Sequence, residues 1–245
     1  ITIAGDITGT GDAHIGGGGT ITGNIGESGG ARLLKTVGTP KLTGTNTYTG
    51  GTNILAGTLT LGNGGTTGSL STTGVITLTS GNLGINRSND VVQGTDFNGS
   101  VLAGTGGVTK SGTGTLTLNV ANTYSGATIV NTSGGTVHLA NANAVQNSTV
   151  SLYSTNGVTF ASGIGSFNFG GLAGNGLGTF SLTDTASANV ALTVGSNNAN
   201  TNPQMAIGGG GSLTKIGSGS IQLQTNTSTY SGGTTINSGT LILSG

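Results

Sequence analysis

The 245-residue sequence predicts an all-β chain wound as a parallel β-helix, or β-solenoid, with about 20 residues per coil. Three observations lead there. Short segments such as Gly114-Thr-Leu-Thr-Leu118 alternate apolar and polar residues, the period of a strand with one buried face. These segments recur at one coil length. Gly135-Thr-Val-His-Leu139 follows 21 residues on, Gly239-Thr-Leu-Ile-Leu243 follows Gly219-Ser-Ile-Gln-Leu223 by 20, and Gly57-Thr-Leu-Thr-Leu61 follows Gly38-Thr-Pro-Lys-Leu42 by 19. Gly, Asn and Ser punctuate every gap, and no stretch carries capped helical periodicity. A sandwich or barrel would also space its strands about 8–12 residues apart. The likeness of strands one coil apart favours stacking, because each coil lays its strand on the same strand of the coil before.

Composition narrows the classes. Glycine supplies 52 residues, only 5% of the chain is charged and the formal net charge is zero. The glycines lack the every-third-residue period of collagen, and regular Leu, Ile and Val argue against disorder. Zero net charge removes the electrostatic case for nucleic acid or an anionic membrane as partner. No segment approaches the run of about 20 apolar residues that spans a bilayer. The absence of cysteine excludes a disulfide framework, a thiolate metal site and a Cys nucleophile.

Three copies of a longer unit organise the chain, at 35–61, 110–139 and 215–243. Lys35, Lys110 and Lys215 open them. Tyr48, Tyr124 and Tyr230 follow, and two residues after each stands Gly50, Gly126 or Gly232. The tyrosines are 76 and 106 residues apart, which reads as about four and five coils. Leu116 and Leu118 are expected to point inward and Thr115 and Thr117 outward. The same phase puts Leu59, Leu61, Val137, Leu139, Ile221, Leu223, Leu241 and Leu243 in the core. Thr128-Ile129-Val130, with Ile54 and Ile236 in the sister units, supplies another short strand. The lysines are expected as edge or turn charges that discourage lateral sheet pairing. Each tyrosine ring is expected over a turn with its hydroxyl near solvent or a carbonyl, and each glycine where positive φ or close backbone approach excludes a Cβ. From Val150 to Val194 the pattern loosens and Phe160, Phe167, Phe169 and Phe180 gather. Stacked aromatics filling a wider rung are expected there, in preference to an exposed carbohydrate-binding stripe.

The segments GTGTLTLNVANTYSGATIVNTSGGTVHL, GNLGINRSNDVV and GSVLAGTGGVTKSG resemble the autotransporter-associated β-strand repeat, also called the passenger-associated transport repeat. The resemblance implies a right-handed β-helix within very large secreted or surface-bound bacterial proteins, often delivered by a C-terminal outer-membrane barrel. The strands of such a barrel are absent from this segment. The second copy departs from the pattern, with Ala127 in place of a second glycine.

Little in the chain is reactive. Asp90 and Asp96 with Arg87 form the one cluster worth naming, and would be the active residues if this were a glycan-cleaving β-helix enzyme. The preferred reading is a turn whose Asp accepts backbone N–H bonds. The runs Gly16–Gly19 and Gly208–Gly211 lack the Asp of a calcium-binding repeat, no phosphate loop is present, and His14 and His138 stand alone. No metal or cofactor is expected. Thr-x-Thr pairs raise ice binding, but Lys41, His138 and Gln222 interrupt them.

The expected function is therefore structural and non-enzymatic: an extracellular stalk or filament segment of a bacterial surface or secreted protein, serving adhesion or coat formation. Residues 1–245 form one continuous solenoid segment in this reading, part of a longer chain or fibre. The chain opens on Ile-Thr-Ile in strand phase and stops after Gly-Thr-Leu-Ile-Leu-Ser-Gly, with no capping element at either end. Both terminal coils are expected to be covered, by further repeats of the same chain or by copies of itself stacked end to end. Surface glycans and host or neighbour-cell receptors are the other expected partners.

Overall fold

A computed structural model describes residues 1–175, 178–224 and 228–244. The described residues contain strands and turns and no helix, and every pairing between strands is parallel. The strands wind into a β-solenoid of about 11 turns, with equivalent positions roughly 21 residues apart. At about 4.8 Å per turn the rod is roughly 50–55 Å long.

Each turn has three faces. The first face stacks Thr2–Ile3, Gly18–Ile21, Thr39–Leu42, Thr58–Leu61, Asn82–Ile85, Val108–Lys110 and Thr128–Val130 in register. The second carries Val91–Val92, Leu116–Leu118, Val137–Leu139 and Val158–Phe160. The third carries Ala13–Ile15, Leu34–Thr36, Thr52–Ile54, Ile76–Leu78 and Ala103–Gly104. Two long strands, Val145–Leu152 and Ser166–Gly174, run round a corner and join the third face to the first. Val150–Leu152 lies on Thr128–Val130, while Phe169 pairs with Val145 and leads into the third-face stack of Ala191–Val194, Ser212–Lys215 and Thr234–Ile236.

The core is the column inside these faces. Leu59, Leu61, Leu116, Leu118, Val137, Leu139, Ile221 and Leu223 are buried, as the alternation predicts. Leu241 is only half-buried and Leu243 is 64% exposed, contrary to expectation, because no described coil lies over them. The four phenylalanines are all buried and pack on one another, with Phe160 4.6 Å from Phe167, 6.1 Å from Phe169 and 5.8 Å from Phe180. They fill the interior beside the two corner-turning strands and form no exposed stripe.

The spacing of the units needs correction. In the first unit Thr52–Ile54 lies on the third face and Thr58–Leu61 on the first. In the second unit Thr128–Val130 lies on the first face and Val137–Leu139 on the second. The third unit returns to the phase of the first. Its strand Ser220–Gln224 stacks on Thr201 and, through Pro203 and Gly174, on the first-face strand below. The tyrosine spacings of 76 and 106 residues are therefore about three and a third and about four and two-thirds turns. Turns lengthened by loops, such as 62–75 and 93–101, absorb the difference.

Candidate functional site

The repeated unit is the one constellation that the chain builds three times. Its first strand lays one apolar residue and one variable residue inward. Leu34, Val108 and Leu213 are equivalent, each stacked on the threonine of the next coil, Thr52, Thr128 or Thr234. Two residues on stand Thr36, Lys110 and Lys215, stacked on Ile54, Val130 and Ile236. Lys35 thus falls out of the set. It sits one position earlier with its side chain outward, half-buried, and pairs with Asp12 at 2.8 Å. That contact holds the Asp12 carboxyl below the usual range. In the first unit the inward place of the lysine is taken by Thr36, whose buried Oγ1 has no hydrogen-bond partner among the described residues.

Lys110 and Lys215 are not edge charges. Each is about 1% exposed. The Lys110 ammonium folds back to donate to the carbonyls of Ser111 (3.4 Å) and Gly112, and Lys215 donates to those of Ile216 (2.5 Å) and Gly217 (3.0 Å). Burial pushes Lys110 down to about 8, against an opposing attraction to Asp90, and burial lowers Lys215 too. The lysine therefore ties down the turn that follows its own strand.

The tyrosines also differ from expectation. Tyr48 and Tyr124 are fully buried, and their hydroxyls meet Thr52 Oγ1 and Thr128 Oγ1 at 2.6 Å. Thr128 in turn meets Ser148 Oγ at 2.8 Å, and Ser148 donates to the Gly126 carbonyl at 2.6 Å. Loss of water raises both phenols, Tyr124 to about 12. Tyr230 makes the same contact to Thr234 but lies in the last described coil and is partly exposed. The hydroxyl thus meets an in-chain partner four residues on, which an apolar interior demands. Close approach explains the glycines: a Cβ on Gly50, Gly126 or Gly232 would stand 2.5 Å from backbone atoms of Arg32, Gly106 or Gly211 in the coil below. Positive φ belongs to the next residue, Gly51 or Gly233.

The Arg87, Asp90 and Asp96 cluster is consumed by the backbone. The Arg87 guanidinium is buried, pairs with Asp96 Oδ1 and donates to the Gly68 carbonyl at 3.1 Å. Asp96 Oδ2 accepts from Val92 N at 2.9 Å. Asp90 meets Arg87 only through its main-chain carbonyl, which accepts from the guanidinium at 3.5 Å, while its Oδ1 accepts from Thr115 N of the next coil at 2.8 Å. The other acids do similar work. Asp6 accepts from Asn24 N, Glu27 from Thr49 N and Arg32 N, and Asp184 from Ala186 N and Ala188 N. Among the described residues no group of three or more His, Cys, Asp or Glu side chains could hold a metal ion.

Comparison with known proteins fits this geometry. The family model described as the passenger-associated-transport-repeat matches residues 37–61, 108–139 and 213–243. The three units are passenger-associated transport repeats. A curated relative, the adhesin BmaC autotransporter of Brucella suis biovar 1 (strain 1330), is 34% identical over 167 residues. The alignment covers 66% of this chain and 5% of that protein. No solved structure matches.

The passenger-associated transport repeats contain one functional position that inspection of the sequence missed. Two residues before each tyrosine stands Asn46, Asn122 or Ser228. Their side-chain oxygens accept a backbone N–H from the coil below: Ile25 to Asn46 at 2.7 Å, Leu102 to Asn122 at 2.9 Å and Ile207 to Ser228 at 3.2 Å. Asn46 and Asn122 also donate to carbonyls of the coil above, Ser69 at 2.6 Å and Ala144 at 3.2 Å. An amide side chain with both donor and acceptor stitches three coils where the backbone ladder is broken by a corner. The signal was present as the recurring Asn-Thr-Tyr triplet.

Proposed function

We propose that the chain is a stalk segment of a bacterial surface or secreted passenger, whose work is to hold a rigid rod and to continue it into further coils. One observation carries the reading. Lys110, Lys215, Asp90, Asn46 and Asn122 are spent on backbone groups of their own or adjacent coils, and all of these but Asp90 lie in the segments that match the passenger repeat. The name of the adhesin relative supports a place at the cell surface and a part in adhesion. In this reading the segment is non-enzymatic. Its partners along the axis are more of the same chain or another copy, and its lateral partners are surface glycans or receptors on host or neighbouring cells.

The test is deletion of residues 111–152 from the full surface protein, which joins Lys110 to Tyr153 between stacked first-face positions and removes two whole turns. Electron microscopy should show a shorter rod, and cells should lose adhesion in proportion to reach while display is retained. Unchanged rod length, or turnover of a polysaccharide that disappears in Asp90→Asn, would contradict the proposal.

A further inference from the structure

Beyond Lys110 the chain has only two side chains charged at neutral pH, Asp184 and Lys215, and both are buried. The outer surface of the later turns is therefore uncharged, built from Thr, Ser, Asn and Gly. A single new carboxylate would change its character. We propose that Asn156 is a spontaneous modification site, at which the side-chain amide is lost through cyclisation onto the Gly157 nitrogen and an aspartate or isoaspartate remains.

The chemistry uses only water. The Gly157 backbone nitrogen loses its proton and attacks Asn156 Cγ; the new C–N bond closes a five-membered succinimide and the amide nitrogen leaves as ammonia. Water then opens the ring at either carbonyl, giving aspartate or isoaspartate. Glycine as the second residue permits it, since no Cβ obstructs the ring.

Four Asn-Gly pairs occur, and the fold treats them unequally. Asn98 is buried, and its amide donates to the Thr72 and Thr73 carbonyls while its Oδ1 accepts from Ser100 N. Asn63 is exposed, but Oδ1 accepts from Lys41 Nζ at 3.0 Å and Gly64 N is bound to the Asn86 carbonyl at 2.8 Å. The nucleophile there is held by the neighbouring coil. Asn175 precedes a residue outside the described part. Asn156 is the free one. It lies exposed at the tip of the turn 153–157 with φ of 54°, and its side chain makes no hydrogen bond among the described residues. The Gly157 carbonyl accepts from Val137 N at 2.9 Å, but among the described residues its N–H donates to no coil. Beside it stands a second polar group without a partner. Ser154 Oγ is buried and unbonded, 2.8 Å from where a Cβ on Gly157 would be. The attacking nitrogen is thus not locked into the ladder, and the space beside the Gly157 Cα is faced by that free hydroxyl.

The experiment is incubation of the folded chain at 37 °C and pH 8, followed by chymotryptic peptide mass spectrometry. Tyr153 and Phe160 bracket the reactive pair, so the peptide 154–160 separates it from Asn63, Asn98 and Asn175. The peptide 154–160 should gain the one-dalton mass of deamidation several-fold faster than those holding Asn63 and Asn98. In urea the Asn98 rate should rise toward that of Asn156, because its protection belongs to the fold. Ion exchange of the intact folded chain should show a more acidic species that grows with time, and Asn156→Gln should remove it. Asn156 reacting no faster than Asn63 or Asn98 in the folded chain would overturn the proposal, as would an acidic species that persists in Asn156→Gln.

Discussion

Lys110→Met should flatten the pH dependence of stability. Lys110 is about 1% exposed, and burial lowers its ammonium from the ordinary 10.5 to about 8. A group whose folded pKa lies below its unfolded value leaves the native state holding fewer protons between the two. Stability therefore rises with pH across that window, from about 8 towards 10.5. At about 1.4 kcal/mol per unit the gain is at most on the order of 3 kcal/mol. Tyrosine acts in the opposite sense. Tyr124 is raised to about 12 and Tyr48 is raised as well, so above about 10 the unfolded phenols ionise while the folded ones do not, and stability falls. The wild-type chain should thus be most stable near pH 9.5–10. Lys110→Met removes the buried charge but leaves the Ser111 and Gly112 carbonyls without their donor, a loss of about 1–3 kcal/mol. At pH 7 the two effects offset and the variant should be close to wild type; at pH 9.5 it should be clearly less stable. Urea midpoints read by circular dichroism at both pH values give the answer, with Lys215 contributing a smaller residual slope. Equal shifts for both chains between pH 7 and 9.5 would refute the reasoning.

Thr36→Lys should be accommodated, since Val37-Gly38 holds the turn positions at which Ser111-Gly112 and Ile216-Gly217 accept from Lys110 and Lys215; an unfolding free energy in urea falling by more than about 2 kcal/mol would show that the three positions are not equivalent. Leu118→Asp should cost several kcal/mol because it leaves a charge unpaired in the column, whereas Thr117→Asp should cost less than about 1 kcal/mol, both read from thermal melts. Gly126→Val drives a Cβ to 2.5 Å from the Gly106 backbone and should cost about 3 kcal/mol or more, while Ala127→Val next to it costs about 1 kcal/mol; equal losses in urea unfolding would remove the close-approach argument.

The strand phase was legible because burial in a narrow column enforces strict alternation: Leu116 and Leu118 go in, Thr117 stays out, and a one-residue slip would invert them. The same rule explains the error at Lys35. Matching letters places it with Lys110 and Lys215, but alternation counts positions, and the inward position is Thr36. The tyrosines were misplaced because sequence gives no sign of Thr52 or Thr128 waiting four residues on to receive a buried hydroxyl. Spacing alone could not reveal the rotation of the second repeat by one face, since loop insertions lengthen turns without changing the strands. At Arg87, Asp90 and Asp96 the sequence supplied the cluster and also its use in a turn; the bond from Thr115 N to Asp90 shows that the turn serves the next coil.

The central claim is an unbroken stack of parallel turns, and a distance along one face tests it most directly. Thr60 and Gln222 both lie on the first face with seven stacking steps between them, through Gly84, Thr109, Ile129, Ser151, Ala173 and the bridged pairs at Pro203 and Thr201. The chain has no cysteine, so nitroxides can be placed cleanly through Thr60→Cys and Gln222→Cys. Double electron–electron resonance should then give one narrow distribution near 34 Å, seven steps of about 4.8 Å. A distance under about 25 Å, or a broad one, would contradict the stack and point to a folded-back sandwich of the same strands.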